Sequence, residues 1–201
     1  MLPDSILIGP GAFLDMCASS IEAYNCECVG FLTGAVRRKA PPQRRLRIRS
    51  AYPQQFIARR PSSAEESNAA AGVRTREVLR ALSYMRGVAL VGGYHSHPGS
   101  ECEPSKTDLE YALDELREAE DSGHPLPYDA WLEVIVSIRK RAYGSRSSPD
   151  TFWSVRHSAK KTLAVIQTSP RVGYHLTFGA FWIRPEGGRP RWREAKVRMS
   201  R

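Results

Sequence analysis

The segment Val88-Ala-Leu-Val-Gly-Gly-Tyr-His-Ser-His-Pro98, followed by Ser105-Lys-Thr-Asp108, is the part of the chain around which the remaining sequence can be arranged. Its first seven residues are apolar enough to predict a central β-strand. Residues i and i+2 of a strand point to the same face, so His95 and His97 can approach one point where this strand ends. Asp108 can return to that point from the start of the next helix. Two imidazoles and one carboxylate are a common ligand set for catalytic zinc, with water in the fourth position.

Ser105 and Asp108 also have an ordinary structural explanation. The pattern Ser-x-x-Asp before an apolar-periodic run is typical of a helix N-cap with an acidic partner at the third helical position. That explanation leaves His95 and His97 unaccounted for. Both histidines follow Gly92-Gly93, and glycines permit close backbone approach at the end of a buried strand. The combination favours a metal site over a set of unrelated polar residues.

A hydrolytic zinc site also needs a base for its water, whose pKa zinc lowers to about 7. A carboxylate that hydrogen-bonds this water without binding the metal takes its proton and delivers it to the leaving amine. Glu101 and Glu103 are local candidates in the loop after the histidines. Glu27 begins an apolar strand, where an unpartnered carboxylate is costly to bury. An exposed residue at the start of a strand explains Glu27 about as well, so the residues alone leave the base open.

The order of helices and strands predicts an α/β or α+β fold with a central mixed β-sheet flanked by helices. We expect helices at 12–24, 73–85 and from Ser105 to residue 122, and strands at 5–8, 27–33, 46–49, 53–57, 88–94, 131–138, 151–156, 162–166, 174–183 and 192–197. The last of these are expected as extra C-terminal strands that form a hairpin appended to the main sheet. Polar composition predicts loops at 35–43, 59–70 and 139–150.

Length and composition set the class of protein. A chain of 201 residues, 41% of them hydrophobic, fits one globular domain with a hydrophobic core. No apolar run is long enough to span a bilayer, and no basic segment precedes an apolar stretch at the start. We therefore expect no membrane association, no signal peptide and a cytoplasmic location. The four cysteines show no paired CxxC framework, which argues against a disulfide scaffold, and Cys17 and Cys28 are expected to be buried.

The charge distribution is uneven. The net charge is +9, from 30 basic and 21 acidic residues, and the basic residues crowd segments 37–49 and 184–201. Basic runs bind nucleic acid or an acidic protein, although an arginine-rich solvated surface explains them at least as well. A non-catalytic nucleic-acid-binding or protein-binding module is therefore an alternative to a hydrolase.

Two stretches of the chain resemble the JAMM signature of MPN-type metalloproteases. His95-Ser-His-Pro98 followed by Ser105 and Asp108 has the H-x-H-x10-D spacing of that family, and Glu27-Cys-Val-Gly-Phe-Leu-Thr-Gly34 is similar to its glutamate followed by an apolar strand. The resemblance implies a cytidine-deaminase-like MPN/JAB fold. By the order of elements it extends from residue 5 to residue 157.

This extent predicts how the chain is divided. We expect a metalloprotease domain at residues 1–157 and a C-terminal β extension at 158–201 that packs on the same domain. The extension has no counterpart in the family it resembles.

The resemblance implies a role for each site residue. His95, His97 and Asp108 would ligate one Zn²⁺ that carries a catalytic water, and Glu27 would act as general base and acid. Ser105 would hydrogen-bond the developing oxyanion. All five positions are filled, unlike in the metal-free scaffold branch of the same fold.

The resemblance also implies a substrate class. Members of this family cleave isopeptide bonds to ubiquitin or ubiquitin-like proteins, or peptide bonds after the C-terminal glycines of a carrier protein. The compact chain looks like the bacterial branch, which accompanies ubiquitin-like conjugation enzymes, including those of antiviral defence operons, or processes sulfur-carrier proteins. We expect a ubiquitin-like protein or its conjugate as partner, together with E1/E2-like enzymes of the same operon, because loops 59–70 and 139–150 could hold a protein tail. Processing of a sulfur carrier is the alternative.

Overall fold

The computed structural model describes residues 1–36, 44–54, 75–80, 87–143 and 152–200. Strands dominate these residues, and three helical segments accompany them. Residues 75–80 are helical and are called α2. The other elements are β1 Ser5–Ile8, α1 Pro10–Glu22, β2 Val29–Ala35, β3 Arg45–Pro53, β4 Val88–Pro98, α3 Lys106–Asp121, β5 Trp131–Ala142, β6 Trp153–His157, β7 Thr162–Ser169, β8 Val172–Glu186 and β9 Arg189–Met199.

The described strands form one mixed sheet in the order β5-β4-β2-β3-β1-β9-β8-β7-β6. Strand β8 also pairs antiparallel with β5, from Trp131 opposite Ile183 to Ala142 opposite Val172. This pairing closes β5, β4, β2, β3, β1, β9 and β8 into a barrel wall, from which β7 and β6 extend. The prediction of a mixed sheet is confirmed. The expectation of a central sheet flanked by helices is confirmed only in part, because the sheet closes on itself and few helices accompany it.

The C-terminal strands are part of this wall. Strand β9 runs parallel to β1, with Ile6 opposite Val197, and β8 lies between β9 and β5. Trp182 on β8 is buried, and its Nε1–H donates to the carbonyl oxygen of Pro3 at 2.8 Å. The hairpin expected as an appendage therefore joins β1 to β5 and completes the wall. The division of the chain at residue 157 remains a prediction.

Helices α1 and α3 pack on opposite faces of the wall. Leu32 contributes to the core under α1, whereas its neighbour Phe31 contributes to the core under α3. Successive strand residues point to opposite faces, so β2, β4, β5 and β8 each supply residues to both cores. Helix α1 begins at Pro10, two residues before the predicted start, because proline suits the first helical position. The ring of Phe13 on α1 lies 4.9 Å from that of Phe178, between centroids.

Ion pairs join α2 to α3. Arg80 contacts the Glu115 carboxylate at 3.4 Å and its carbonyl oxygen at 3.2 Å, while Arg76 contacts both Glu115 and Glu118. Burial raises the pKa of Glu115, and the nearby Arg76 opposes this rise. Removing one partner of a buried pair costs about 3–5 kcal/mol, because a charge is left uncompensated. These contacts fix the helix whose first turn carries Asp108.

Several sequence predictions fall wholly or partly outside the described residues. They include the loop at 59–70, residues 37–43 of the loop at 35–43, residues 144–150 of the loop at 139–150, the end of the strand at 53–57, and the parts of the helix at 73–85 outside the helical segment 75–80. Residues 139–142, also expected in a loop, belong instead to β5, which is paired with β8 there. In the part of the chain that is described, no helix has both the length and the apolar character needed to cross a membrane. The cytoplasmic location stays a prediction.

Deletion of residues 158–201 is expected to abolish cooperative folding. It removes β7, β8 and β9, exposes the β5 backbone that pairs with β8, and takes Phe178 and Trp182 out of the core. Thermal unfolding followed by circular dichroism would compare the 1–157 fragment with the full chain, and co-expression of the two fragments serves as the control for complementation. A cooperative transition of the isolated 1–157 fragment near that of the full chain would contradict this expectation.

Candidate metal centre

Strand β4 carries both histidines within its length. It runs from Val88 to Pro98, four residues beyond the predicted end, because it stays paired with β5 as far as Pro98 and with β2 as far as His95. His95 lies opposite Val29 of β2 and opposite Ile135 of β5. Both imidazoles point to one face, and His95 and His97 are only 6% and 7% exposed. The position of both rings is therefore set by a strand that lies inside the sheet.

The two glycines before the histidines allow β4 and β5 to approach closely. A Cβ atom on Gly92 would lie 1.8 Å from the carbonyl oxygen of Leu132, which no side chain tolerates. A Cβ on Gly93 would lie 3.0 Å from the indole ring of Trp131. The expected close approach of the backbone at this end of the strand is thus present in the structure.

Asp108 reaches the histidines from the first turn of α3. Ser105 is the N-cap, and its hydroxyl oxygen accepts from the Asp108 N–H at 3.2 Å, while the Asp108 carboxylate accepts from the Ser105 N–H at 2.6 Å. The same carboxylate lies 3.4 Å from His95 Nε2 and 3.6 Å from His97 Nε2. The Ser-x-x-Asp pattern can therefore cap the helix and offer a metal ligand at the same time, since one geometry accommodates both roles.

The nitrogen atoms that face each other are the Nε2 atoms. His95 Nε2 and His97 Nε2 lie 2.8 Å apart, and with Asp108 they form a group whose ligand atoms all lie within 4.8 Å of one another. His97 Nδ1 lies 3.0 Å from the carbonyl oxygen of Glu101, which can only accept, so its proton belongs on Nδ1. The Nε2 lone pair is then directed at the shared point. Two imidazole nitrogens and a carboxylate oxygen are a donor set that suits zinc.

The carboxylates around this point favour a positive charge. Burial lowers the pKa of His95, but hydrogen bonds to Asp108 and Glu133 outweigh it and raise the pKa to about 10. Burial raises the pKa of Asp108, but hydrogen bonds from His95 and His97 hold it well below its usual range. Both directions have the same physical cause, which is carboxylate oxygens held against imidazole nitrogens in a poorly hydrated place.

Glu27 lies beside the three-residue cluster, two residues before the first residue of β2. The Cys28 N–H donates to Ser96 Oγ at 2.9 Å, and the Ser96 N–H donates to the Cys28 carbonyl at 2.9 Å. Contact with β4 therefore begins one residue before the start of β2. This register brings Glu27 Oε1 to 4.0 Å from His97 Nε2, and its side chain is 58% exposed.

The other two candidate bases have different positions. Glu101 meets His97 through its main-chain carbonyl, and Glu103 is exposed. Among the described residues, Glu27 is the one of the three candidate bases whose carboxylate comes within 4.0 Å of a histidine.

Sequence reasoning missed Glu133 and Trp131, which lie two residues apart on β5. Glu133 is 3% exposed, and its Oε1 lies 2.8 Å from His95 Nδ1. Its Oε2 accepts from the Trp131 Nε1–H at 2.5 Å. The available signal was a carboxylate inside the predicted strand 131–138. A buried carboxylate needs partners, and the sequence did not say which.

Comparison with known proteins places the fold in a family. The family described as prokaryotic homologs of the JAB domain matches residues 10–155, a range that contains Glu27, His95, His97, Ser105 and Asp108. No curated protein matches the chain.

Two solved structures resemble the chain. A solution structure of a protein from Desulfitobacterium hafniense is 15% identical, with a TM-score of 0.44 over 97% of this chain and 94% of the other. A crystal structure of a JAB1/MPN domain protein from Archaeoglobus fulgidus is 16% identical, with a TM-score of 0.35 over 65% of this chain and 77% of the other. Both likenesses are too distant to carry an argument about function. The family match covers most of the sequence and includes the whole histidine and aspartate cluster, and on that ground the chain belongs to the family of prokaryotic JAB-domain homologues.

Proposed function

We propose that this chain is a zinc-dependent metalloprotease of the isopeptidase type, which hydrolyses the bond after the C-terminal glycine of a ubiquitin-like protein. The observation that carries the proposal is the convergence of His95 Nε2, His97 Nε2 and the Asp108 carboxylate on one point, with Glu27 beside it. Family membership supports it, because many members of the JAB/MPN family are metalloisopeptidases.

Three side chains would hold the metal. His95 and His97 would each offer Nε2, and Asp108 would offer a carboxylate oxygen, which leaves a fourth position open for water or substrate. When bound there, zinc acidifies a water molecule and polarises the scissile carbonyl. The buried face of β4 and the capped start of α3 hold these donors in place before any metal arrives.

Glu27 would move the protons. Its carboxylate lies 4.0 Å from His97 Nε2 but is largely exposed, so it borders the ligand cluster without being enclosed by it. From this position it can accept a proton from the attacking water and deliver it to the leaving amine. The contacts between Cys28 and Ser96 fix the backbone next to Glu27, so the carboxylate stays on the histidine face.

Ser105 would use its hydroxyl group twice. One lone pair of Oγ accepts the Asp108 N–H at the start of α3, and this leaves the O–H proton free to donate elsewhere. A donor beside Asp108 can stabilise the oxyanion that develops on the scissile carbonyl. The two uses do not compete, since accepting and donating involve different parts of the hydroxyl group.

The proposed substrate is a ubiquitin-like protein of a bacterial conjugation or antiviral defence system, which would also contain E1/E2-like enzymes. This choice rests on the resemblance of the site to isopeptidases. Processing of a sulfur-carrier protein would use the same chemistry on a linear peptide bond. A panel of ubiquitin-like and sulfur-carrier fusions with a cleavable C-terminal extension separates the two. A basic nucleic-acid-binding module would instead bind DNA or RNA with a steep salt dependence and cleave none of the fusions.

Glu27→Gln is expected to lower turnover by about 10²–10⁴-fold while zinc remains bound, because the residue moves protons without ligating the metal. His97→Ala is expected to lose both turnover and zinc. Fusion cleavage and metal content per chain measure the two properties, and Glu120→Gln on the exposed face of α3 is the matched charge control. Full turnover by Glu27→Gln would sink the assignment of the base.

Ser105→Gly and Ser105→Ala separate the two uses of the hydroxyl group. Glycine is a tolerable N-cap and costs only a few tenths of a kcal/mol, whereas alanine costs about 1 kcal/mol. If the hydroxyl stabilises the oxyanion, both variants lose about 10²-fold or more in kcat. Thermal unfolding and cleavage kinetics are the measurements. A loss of kcat confined to the alanine variant would show that only the helix start matters.

A further inference from the structure

We propose that Glu133 is a positioning residue for the metal centre, which holds His95 in the tautomer and orientation that present Nε2 to zinc. The inference rests on the proposed function and goes beyond it, since Glu133 is neither one of the three ligands nor the expected base. The residue lies on β5, next to the strand that carries both histidines.

The two oxygens of Glu133 each have one donor. Oε1 accepts from His95 Nδ1–H at 2.8 Å, and Oε2 accepts from Trp131 Nε1–H at 2.5 Å. A carboxylate can only accept, so the His95 proton is held on Nδ1 and the lone pair is left on Nε2. The indole fixes the carboxylate from the other side and so sets the plane of the His95 ring.

The strand register makes room for this arrangement. Gly93 of β4 lies opposite Glu133 of β5, on the same face as His95. A Cβ on Gly93 would lie 3.0 Å from the Trp131 ring and 3.5 Å from Glu133 Oε2. The missing side chain at this position therefore leaves the space that the carboxylate and the indole occupy. Gly93 and Glu133 act as a pair across the two strands.

The charge of Glu133 suits a divalent cation. Two neutral imidazoles and the Asp108 carboxylate supply one negative charge, and the buried Glu133 supplies a second. Among the described residues, no lysine or arginine forms an ion pair with Glu133, whose one ionic partner is His95. With zinc in place, the Asp108 and Glu133 carboxylates would balance the two positive charges of the ion, while the largely exposed Glu27 carboxylate borders the cluster outside this balance. Carboxylates that orient metal-bound histidines raise ligand basicity, and their loss typically costs 10–100-fold in metal affinity.

The two histidines are oriented by different kinds of acceptor. His97 Nδ1 meets the neutral main-chain carbonyl of Glu101, whereas His95 Nδ1 meets a charged side chain. Side-chain substitution can therefore alter the support of His95 and leave that of His97 in place. This asymmetry makes the contribution of Glu133 measurable by itself.

Glu133→Gln tests the proposal, because an amide offers one oxygen and one NH₂ group. It can accept from His95 or from Trp131 in the carboxylate position, and the other donor then faces an NH₂ group. We expect zinc affinity to fall at least 10-fold, measured by chelator competition, with an unchanged circular dichroism spectrum. In the double variant Trp131→Phe/Glu133→Gln the competing indole donor is gone, the amide oxygen can turn to His95, and part of the affinity should return. Trp131→Phe alone and Glu120→Gln are the controls.

A measurement on the unaltered chain needs no variant. In the zinc-loaded protein, ¹⁵N NMR of the imidazoles should show His95 protonated at Nδ1 and coordinated through Nε2. Coordination of His95 through Nδ1 would overturn the proposal, as would a Glu133→Gln variant that binds zinc as tightly as the unaltered chain. In both of these cases the proposed protease would still stand. An unaltered chain that binds no zinc at all would overturn both proposals together.

Discussion

The close parallel pairing of β4 with β5 is the constraint on which the rest of the site depends. It requires Gly92, where any side chain would collide with the Leu132 carbonyl, and it puts His95 and Glu133 on neighbouring strands of one face. The imidazoles then converge without help from flexible loops. Helix α3 completes the cluster by supplying Asp108. The start of this helix is fixed by the reciprocal hydrogen bonds between Ser105 and Asp108. Rigidity of this kind suits a centre whose donors must be in place before the metal binds.

Local patterns made part of this site predictable. The i, i+2 spacing of His95 and His97 and the cap spacing of Ser105 and Asp108 depend on strand and helix periods, which a single sequence displays. Glu133 was missed because its partner lies 38 residues away on another strand. The position of Glu27 likewise depends on a contact between Cys28 and Ser96 across 68 residues. Neither of these long-range contacts produces a periodic pattern in the local sequence.

The fold shows the same difference between local patterns, which the sequence displays, and long-range pairings, which it does not. The strands of the wall were mostly found from composition and alternation, but barrel closure depends on the pairing of β5 with β8, which joins residues far apart in the chain. Nothing in the local sequence of Val172–Glu186 separates a barrel strand from one arm of an appended hairpin. The start of α1 at Pro10 was missed because periodicity locates the apolar face of a helix rather than its first residue. A proline in the first turn marks that first residue more sharply.

Closure of the wall limits how a peptide can be held beside the cluster. Within the described residues, β4 is paired with β2 on one side and β5 on the other, and β5 is paired with β4 and β8. An extended peptide binds many proteins by adding a strand to a free sheet edge, where its main chain continues the hydrogen-bond ladder. Among the described residues, His95 therefore lies inside the sheet, whereas His97 is paired with β5 and lies just past the contact between Ser96 and Cys28 on the β2 side. A polypeptide bound beside His95 would meet a backbone ladder that β2 and β5 already occupy, so side chains rather than main-chain pairing with β4 would contact it there.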